Sequence, residues 1–106
     1  MAARPAGGRS LTNRLALTAA IVERSALRFT PAGLPVLDVT LKHESEIHKP
    51  GPARKVSVEV RARAVGPVTE ALLAAELGVE HDFEGFVGSH RNGRGIVFHV
   101  QTVRLK

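Results

Sequence analysis

Apolar and polar residues alternate along most of the chain, and an alternation of period two is typical of β-strands with one buried face. The pattern is plainest over residues 55–64, where every even-numbered residue from Val56 to Ala64 is apolar and is predicted to face the core. The polar residues between them are predicted to face solvent. In all, the alternation predicts five strands, over residues 13–22, 35–43, 55–64, 82–89 and 96–105.

Prolines and glycines mark the loops between these strands, and one connection has the composition of a helix. Residues 23–33 end in proline and glycine turn chemistry and predict a first loop. Residues 44–55 carry two prolines around a glycine, a composition that predicts a mobile loop and no central strand. Residues 68–77 are rich in Ala, Leu and Glu and predict one helix. Asn92-Gly93 predicts a hairpin turn that pairs the last two strands antiparallel.

The predicted order is three strands, one helix and two strands in a chain of 106 residues, which has room for a single compact domain. A five-stranded Greek-key barrel with its helix between strands three and four is the OB-fold. We therefore expect an all-β fold with one short helix, an OB-fold domain over residues 12–106. Residues 1–11 are predicted to form a flexible tail.

Charge and composition narrow the class of partner. The chain has 15 Lys and Arg against 10 Asp and Glu, a formal charge of +5 and a pI near 10.8. This balance favours a polyanion such as nucleic acid, because each neutralised phosphate releases counterions. A charge excess that serves only solubility is the alternative. Cysteine is absent and no apolar run reaches ~20 residues, so we expect a cytoplasmic protein without disulfides or a membrane span.

Motifs for catalysis are missing from the sequence. It contains no phosphate-binding P-loop, dinucleotide fingerprint, nucleophile elbow or metalloprotease helix. His43 and His48 lack the carboxylate or thiolate partners that a zinc site needs. We expect neither an enzyme nor a bound cofactor or metal ion.

The candidate binding site is a row of basic residues that would contact phosphates. It lies on the polar face of the third strand and on the neighbouring loops. OB-folds bind oligonucleotides on this face, and the arginine fork can pair with phosphate oxygens or stack on bases. The predicted contacts are Arg28, Lys42, Lys49, Arg54, Lys55, Arg61, Arg63, Arg91 and Arg94. A solvated strand face with charged loop tips is the alternative interpretation. Since Trp and Tyr are absent, base stacking depends on Phe29, Phe86 and histidines such as His90, whereas His99 is expected to pack within its strand.

Four short segments resemble one protein family in their order and spacing: Thr12–Leu17, Pro31–Pro35, Leu41–Ser45 and Glu84–His90. They are similar to the primosomal replication protein N family, PriB, which is related to bacterial single-stranded DNA-binding proteins. The resemblance covers residues 12–105. It implies a homodimer of OB-folds that binds single-stranded DNA and helps the PriA helicase restart stalled replication forks. It also implies DnaT or single-stranded DNA-binding protein as further partners in the primosome.

The resemblance carries over site residues by position. It places the family's basic contacts of the first loop and of the loop between strands four and five on Arg28, His90, Arg91 and Arg94. Ser57 stands where the family has a stacking aromatic residue, and Glu44 where it has an arginine. We therefore expect charge-led binding, weaker than that of an aromatic-rich relative. Two alternatives stay open: an OB-fold adaptor for protein partners with weak DNA binding, and an RNA-binding OB-fold protein.

Overall fold

The structure is a computed structural model that describes residues 11–47, 51–89, 93 and 95–105. Six strands and one helix follow one another: β1 (Leu15–Arg24), β2 (Arg28–Phe29), β3 (Pro35–Ile47), β4 (Arg54–Val65), α1 (Val68–Ala74), β5 (Glu80–Ser89) and β6 (Ile96–Arg104). All five predicted strands and the helix are present, and the two-residue β2 is an addition within the first loop. No helix among the described residues is long and apolar enough to cross a bilayer.

The five long strands form a closed barrel. Neighbouring strands pair in the order β1-β5-β6-β4-β3, and β3 pairs in turn with β1, so that the sheet returns to its start. All of these pairings are antiparallel except the short one between β4 and β6, which joins Ala62 to Phe98 and Arg63 to His99. The helix lies between β4 and β5 in the chain. This is the predicted OB-fold barrel, and the fold class is confirmed.

Side-chain alternation places the core inside the barrel. Ile21, Leu37, Leu41, Phe83 and Phe98 are at most 1% exposed, and each lies on the face that the period-two pattern predicts to be buried. The pattern fails at Val58, which is 43% exposed although it was predicted to face the core. Val58 pairs with His43 where β3 and β4 extend away from the barrel, so no facing sheet covers it.

The prediction of a mobile loop over residues 44–55 is wrong at both ends. β3 and β4 pair continuously from Val36 with Val65 to Ile47 with Arg54, so residues 44–47 and 54–55 belong to a long hairpin. Pro52 lies just beyond the end of this pairing, where it removes no ladder hydrogen bond. Residues 48–50, and residues 1–10 of the predicted tail, lie outside the described residues.

Helix α1 closes one end of the barrel and is anchored by Arg24 of β1. Leu72 of the helix is fully buried in the core. Arg24 Nη1 donates hydrogen bonds of 2.8 Å to the carbonyl oxygens of both Leu72 and Ala75. A guanidinium at this position satisfies free carbonyl groups and neutralises the negative end of the helix dipole. The helix ends three residues before the predicted boundary at 77, because Ala75 already has extended backbone angles.

One glycine is required by the approach of β5 to β6. The register between these strands shifts between Glu84 and Gly85, and a Cβ added at Gly85 would lie 1.8 Å from the carbonyl oxygen of His99. We expect Gly85→Ala to lower the free energy of unfolding by about 2 kcal/mol or more, since the backbone of β6 would have to move. Urea unfolding followed by circular dichroism measures this loss.

Gly88→Ala is the matched control. A Cβ at Gly88 would meet only the His99 side chain, at 3.1 Å from Nε2, and a side chain can shift more easily than a strand. Equal losses in the two variants would contradict the close approach inferred at Gly85.

Candidate nucleic-acid interface

The outer face of β3 and β4 carries the polar residues of both strands in register. Asp38 lies opposite Arg63, Thr40 opposite Arg61, and Lys42 opposite Glu59. The residues between them point into the core, so these side chains are held on one outward surface. Arg61 and Arg63, predicted from sequence as a basic pair on the third strand, are thus brought together with the polar residues of β3.

A groove of about 400 Å³ runs over this face. Three strands and one loop residue supply its charged and polar lining: Glu23 and Arg24 of β1, Ser25 directly after β1, Asp38 and Thr40 of β3, and Arg61 and Arg63 of β4. Arg61 is exposed, and no described residue forms an ion pair with it. Its guanidinium is therefore available to an anion that enters the groove.

Asp38 joins two of the predicted contacts. Arg28 Nη1 donates to Asp38 Oδ2 at 2.6 Å, and Arg63 Nε donates to Asp38 Oδ1 at 2.8 Å. Burial alone would raise the pKa of Asp38, but the hydrogen bonds from Arg63 and Arg28 and their positive charges outweigh it and lower the pKa. We call these three residues the Asp38 cluster. It brings Arg28 from the first loop onto the outer face of β3 and β4.

Other predicted contacts lie apart from the groove, or their positive charge is already neutralised by nearby carboxylates. Lys42 Nζ is 3.8 Å from Glu44 Oε2, and Lys42 faces Glu59 across the strands. Arg54 and Lys55 are exposed at the far end of the hairpin, about 20 Å from Arg61 along β4 at the usual rise per residue. The structure does not bring Arg54 and Lys55 into the groove.

The loop between β5 and β6 carries the remaining predicted contacts. His90, Arg91 and Arg94 lie outside the described residues, as does Lys49 of the hairpin end, so their roles stay predictions. Gly93 and Gly95 have φ angles of 78° and 70°, as expected for a tight turn built from glycine.

A pair of stacked rings lies beside the basic residues. Phe86 of β5 and His99 of β6 are register partners, with ring centroids 4.8 Å apart and planes 10° from parallel. His99 is in turn the register partner of Arg63 on β4. Phe86 is 36% exposed, which leaves part of its ring open to a ligand. Phe29, the other predicted stacking residue, is exposed as expected, at 63%.

Sequence reasoning missed two features of this surface. It did not predict that Asp38 lies between two arginines, and it expected His99 to pack without naming Phe86. In both cases the signal was the register of two paired strands. A shift of one residue in either pairing moves the partner to the other face of the sheet.

The outer face of β5 carries three carboxylates. Glu80, Asp82 and Glu84 occupy alternate positions of β5, and their register partners on β1 include Thr18 and Ala16. Thr18 Oγ1 donates to Asp82 Oδ1 at 2.6 Å, and Glu84 forms an ion pair with Arg14. We call the three carboxylates of β5 the acidic face. Arg14 forms an ion pair with Glu84, and Arg104 is the register partner of Asp82, so two arginines lie against these carboxylates.

Solved structures with the same fold include a PriB protein. The PriB structure from Ralstonia solanacearum superposes with a TM-score of 0.79 and 30% sequence identity, covering 90% of this chain and 98% of that chain. The single-stranded DNA-binding protein of Thermus aquaticus superposes with a TM-score of 0.71 at 23% identity, over 90% of this chain and 50% of that chain. The second similarity shows the fold alone.

Sequence comparisons agree with the structural ones. A family model described as "another single-strand binding protein family" matches residues 13–102. The replication restart protein PriB of Bordetella pertussis is 37% identical over 93 residues, which cover 87% of each chain. The PriB protein of Neisseria gonorrhoeae is 44% identical over 59 residues, or 56% of this chain and 59% of the relative. The chain therefore belongs to the PriB family of replication restart proteins, within the single-strand binding proteins.

Proposed function

We propose that the protein binds single-stranded DNA along the groove of β3 and β4 and is an accessory protein of the replication-restart primosome. The observation that carries this proposal is Arg61, an exposed arginine without an ion pair among the described residues, in the groove where OB-folds bind oligonucleotides. Its relatives are named replication restart proteins.

The groove suits a phosphate chain. Arg61 and Arg63 point to the same side of β4, about 7 Å apart along the strand, so each can contact its own phosphate. Phosphate contacts carry no sequence information and release counterions, which makes binding tolerant of sequence and sensitive to salt. The stacked Phe86 and His99 add a surface for one base next to Arg63. Because the chain has no Trp or Tyr, charge supplies most of the affinity.

Replacing Arg61 tests the groove. We expect Arg61→Gln to weaken the binding of a labelled single-stranded oligonucleotide about tenfold at low salt, the loss expected for one charged hydrogen-bonding group. The slope of log affinity against log salt should fall by ~0.7, which corresponds to one phosphate contact. Fluorescence anisotropy of the labelled strand measures both quantities.

Arg104→Gln is the matched control, since it removes the same charge opposite Asp82 of the acidic face. Equal effects of the two substitutions would show that only total charge matters. Wild-type affinity that does not change with salt would rule out a phosphate-led site altogether. Competition with RNA of the same sequence tests the RNA-binding alternative in the same assay.

Replacing Phe86 tests the stacking surface. We expect Phe86→Leu to reduce affinity for a thymine oligonucleotide about fivefold or more, since stacking of one base contributes ~1–3 kcal/mol. An abasic strand of the same length is the control, because it keeps the phosphates and lacks the bases. If wild type and variant differ equally on both strands, Phe86 does not stack on a base.

We extend the proposal to a homodimer formed through the outer face of β1. Ala16 and Val22 are exposed there, and with the partly buried Ala20 they make a small nonpolar surface on a strand whose other face is core. We expect Val22→Lys to shift the protein from twice the 11.3 kDa chain mass to the single mass, because a charge would be buried at the contact.

Sedimentation equilibrium at micromolar concentration measures the mass, and Val58→Lys is the control. Val58 is 43% exposed on the hairpin, close to the 41% of Val22. A dimer that persists in the Val22 variant, or wild type that sediments as a monomer, would contradict the proposed contact.

The proposal includes the PriA helicase as the protein partner, with DnaT or single-stranded DNA-binding protein as further partners. An adaptor with weak DNA binding is the second candidate function, and the Asp38 cluster favours it because two of the arginines near the groove are already paired. Retention of PriA on immobilised wild type and on Arg61→Gln separates the two. An adaptor retains PriA while its DNA affinity is negligible even in the wild type.

A further inference from the structure

A carboxylate occupies the centre of the arginine pair beside the groove. Arg28 of β2 and Arg63 of β4 approach Asp38 from two different elements, and each takes one of its two oxygens, at 2.6 and 2.8 Å. The side chains of Asp38, Arg28 and Arg63 are 36%, 49% and 37% exposed, so all three are open to solvent.

Two guanidinium groups that converge on one anion form the arrangement that binds phosphate in many proteins. Here the anion is the protein's own. Each arginine still has unused donors, because Arg63 contributes only Nε and Arg28 only Nη1 to Asp38 among the hydrogen bonds of the described residues. A phosphate that approaches these donors meets the negative charge of Asp38 at the same time.

We propose that Asp38 is an internal competitor of the DNA phosphates, which occupies Arg28 and Arg63 in the free protein and limits the affinity of the groove. This inference rests on the proposed function, since the competing ligand is the single strand. With Asp38 ionised the cluster has a net charge of +1, from two arginines and one aspartate. Without the carboxylate it would have +2, and its Arg63 lies about 7 Å from Arg61 along β4.

An alternative role for Asp38 is to position the two arginines for DNA, and the two roles predict opposite changes. If Asp38 competes, its neutralisation strengthens binding, because the repulsion is removed and both guanidinium groups are released. If Asp38 positions the arginines, neutralisation weakens binding despite the gain in charge. The opposite signs make the proposal decidable by one substitution.

The test compares Asp38→Asn with Asp82→Asn. The amide keeps the size of the side chain and one acceptor oxygen but removes the charge. Asp82 lies on the acidic face, so its variant has the same change in total charge on the other side of the barrel. We expect Asp38→Asn to bind a labelled single strand about fivefold more tightly than Asp82→Asn at low salt, the effect of removing one charge about 5 Å from a phosphate when water separates the two. Its salt slope should be steeper by ~0.7, as one further phosphate is neutralised.

A second substitution tests the release of the arginine. Arg63→Gln should reduce affinity several-fold more in the Asp38→Asn background than in the wild type, where Arg63 is already engaged by the carboxylate. A merely structural role of Asp38 would leave the effect of Arg63→Gln the same in both. Urea unfolding of each variant checks that the compared proteins are folded at the titration temperature.

Three results would overturn the inference: equal affinity of Asp38→Asn and Asp82→Asn, weaker binding by Asp38→Asn, or an unchanged effect of Arg63→Gln. If these occur while wild type binds and Arg61→Gln weakens that binding, the proposed function stands and only the competitor role fails. If wild type does not bind a single strand at all, both fail together.

Discussion

The barrel is closed by one strand that pairs with two neighbours in succession. β1 pairs with β5 from Leu15 to Ala20 and with β3 from Ala20 to Arg24, and its register against β3 is irregular between Ile21 and Glu23. Closure gives each barrel strand a defined inner and outer face. The groove depends on this closure, because it holds the polar residues of β3 and β4 on one surface. The same strand carries Arg24, which attaches the helix.

The alternation of apolar residues predicts the barrel strands because burial inside a closed sheet selects every second side chain. The alternation does not predict the length of the strands. Residues 44–47 are exposed, so burial does not maintain that part of β3; its cross-strand pairing with β4 does, and side-chain patterning does not encode it. The Asp38 cluster escapes prediction for a related reason. Asp38 and Arg63 are 25 residues apart, and only the register of the hairpin makes them neighbours.

Total charge describes this protein less well than the distribution of charge. The chain is basic overall, yet Glu80, Asp82 and Glu84 follow one another along the outer face of β5. Arg61 and Arg63 lie on β4, which is separated from β5 by β6. Arg14 and Arg104 lie against the carboxylates of β5, whereas Arg61 forms no ion pair among the described residues. The unpaired positive charge of Arg61 therefore favours the side of β4 for a polyanion.

The aromatic content and the charges of the groove favour the same mode of binding. Four phenylalanines are the only aromatic residues apart from histidine, and two of them, Phe83 and Phe98, are buried in the core. Phe29 and Phe86 are the phenylalanines left exposed for stacking, with His99 against Phe86, so the proposed binding depends mainly on phosphate contacts. A strand held through its phosphates is held whatever its sequence, and a competing anion can displace it. Asp38 is such an anion, built into the protein beside the groove. In the proposed role, its carboxylate lowers the affinity for the strand because it occupies Arg28 and Arg63 beside the groove.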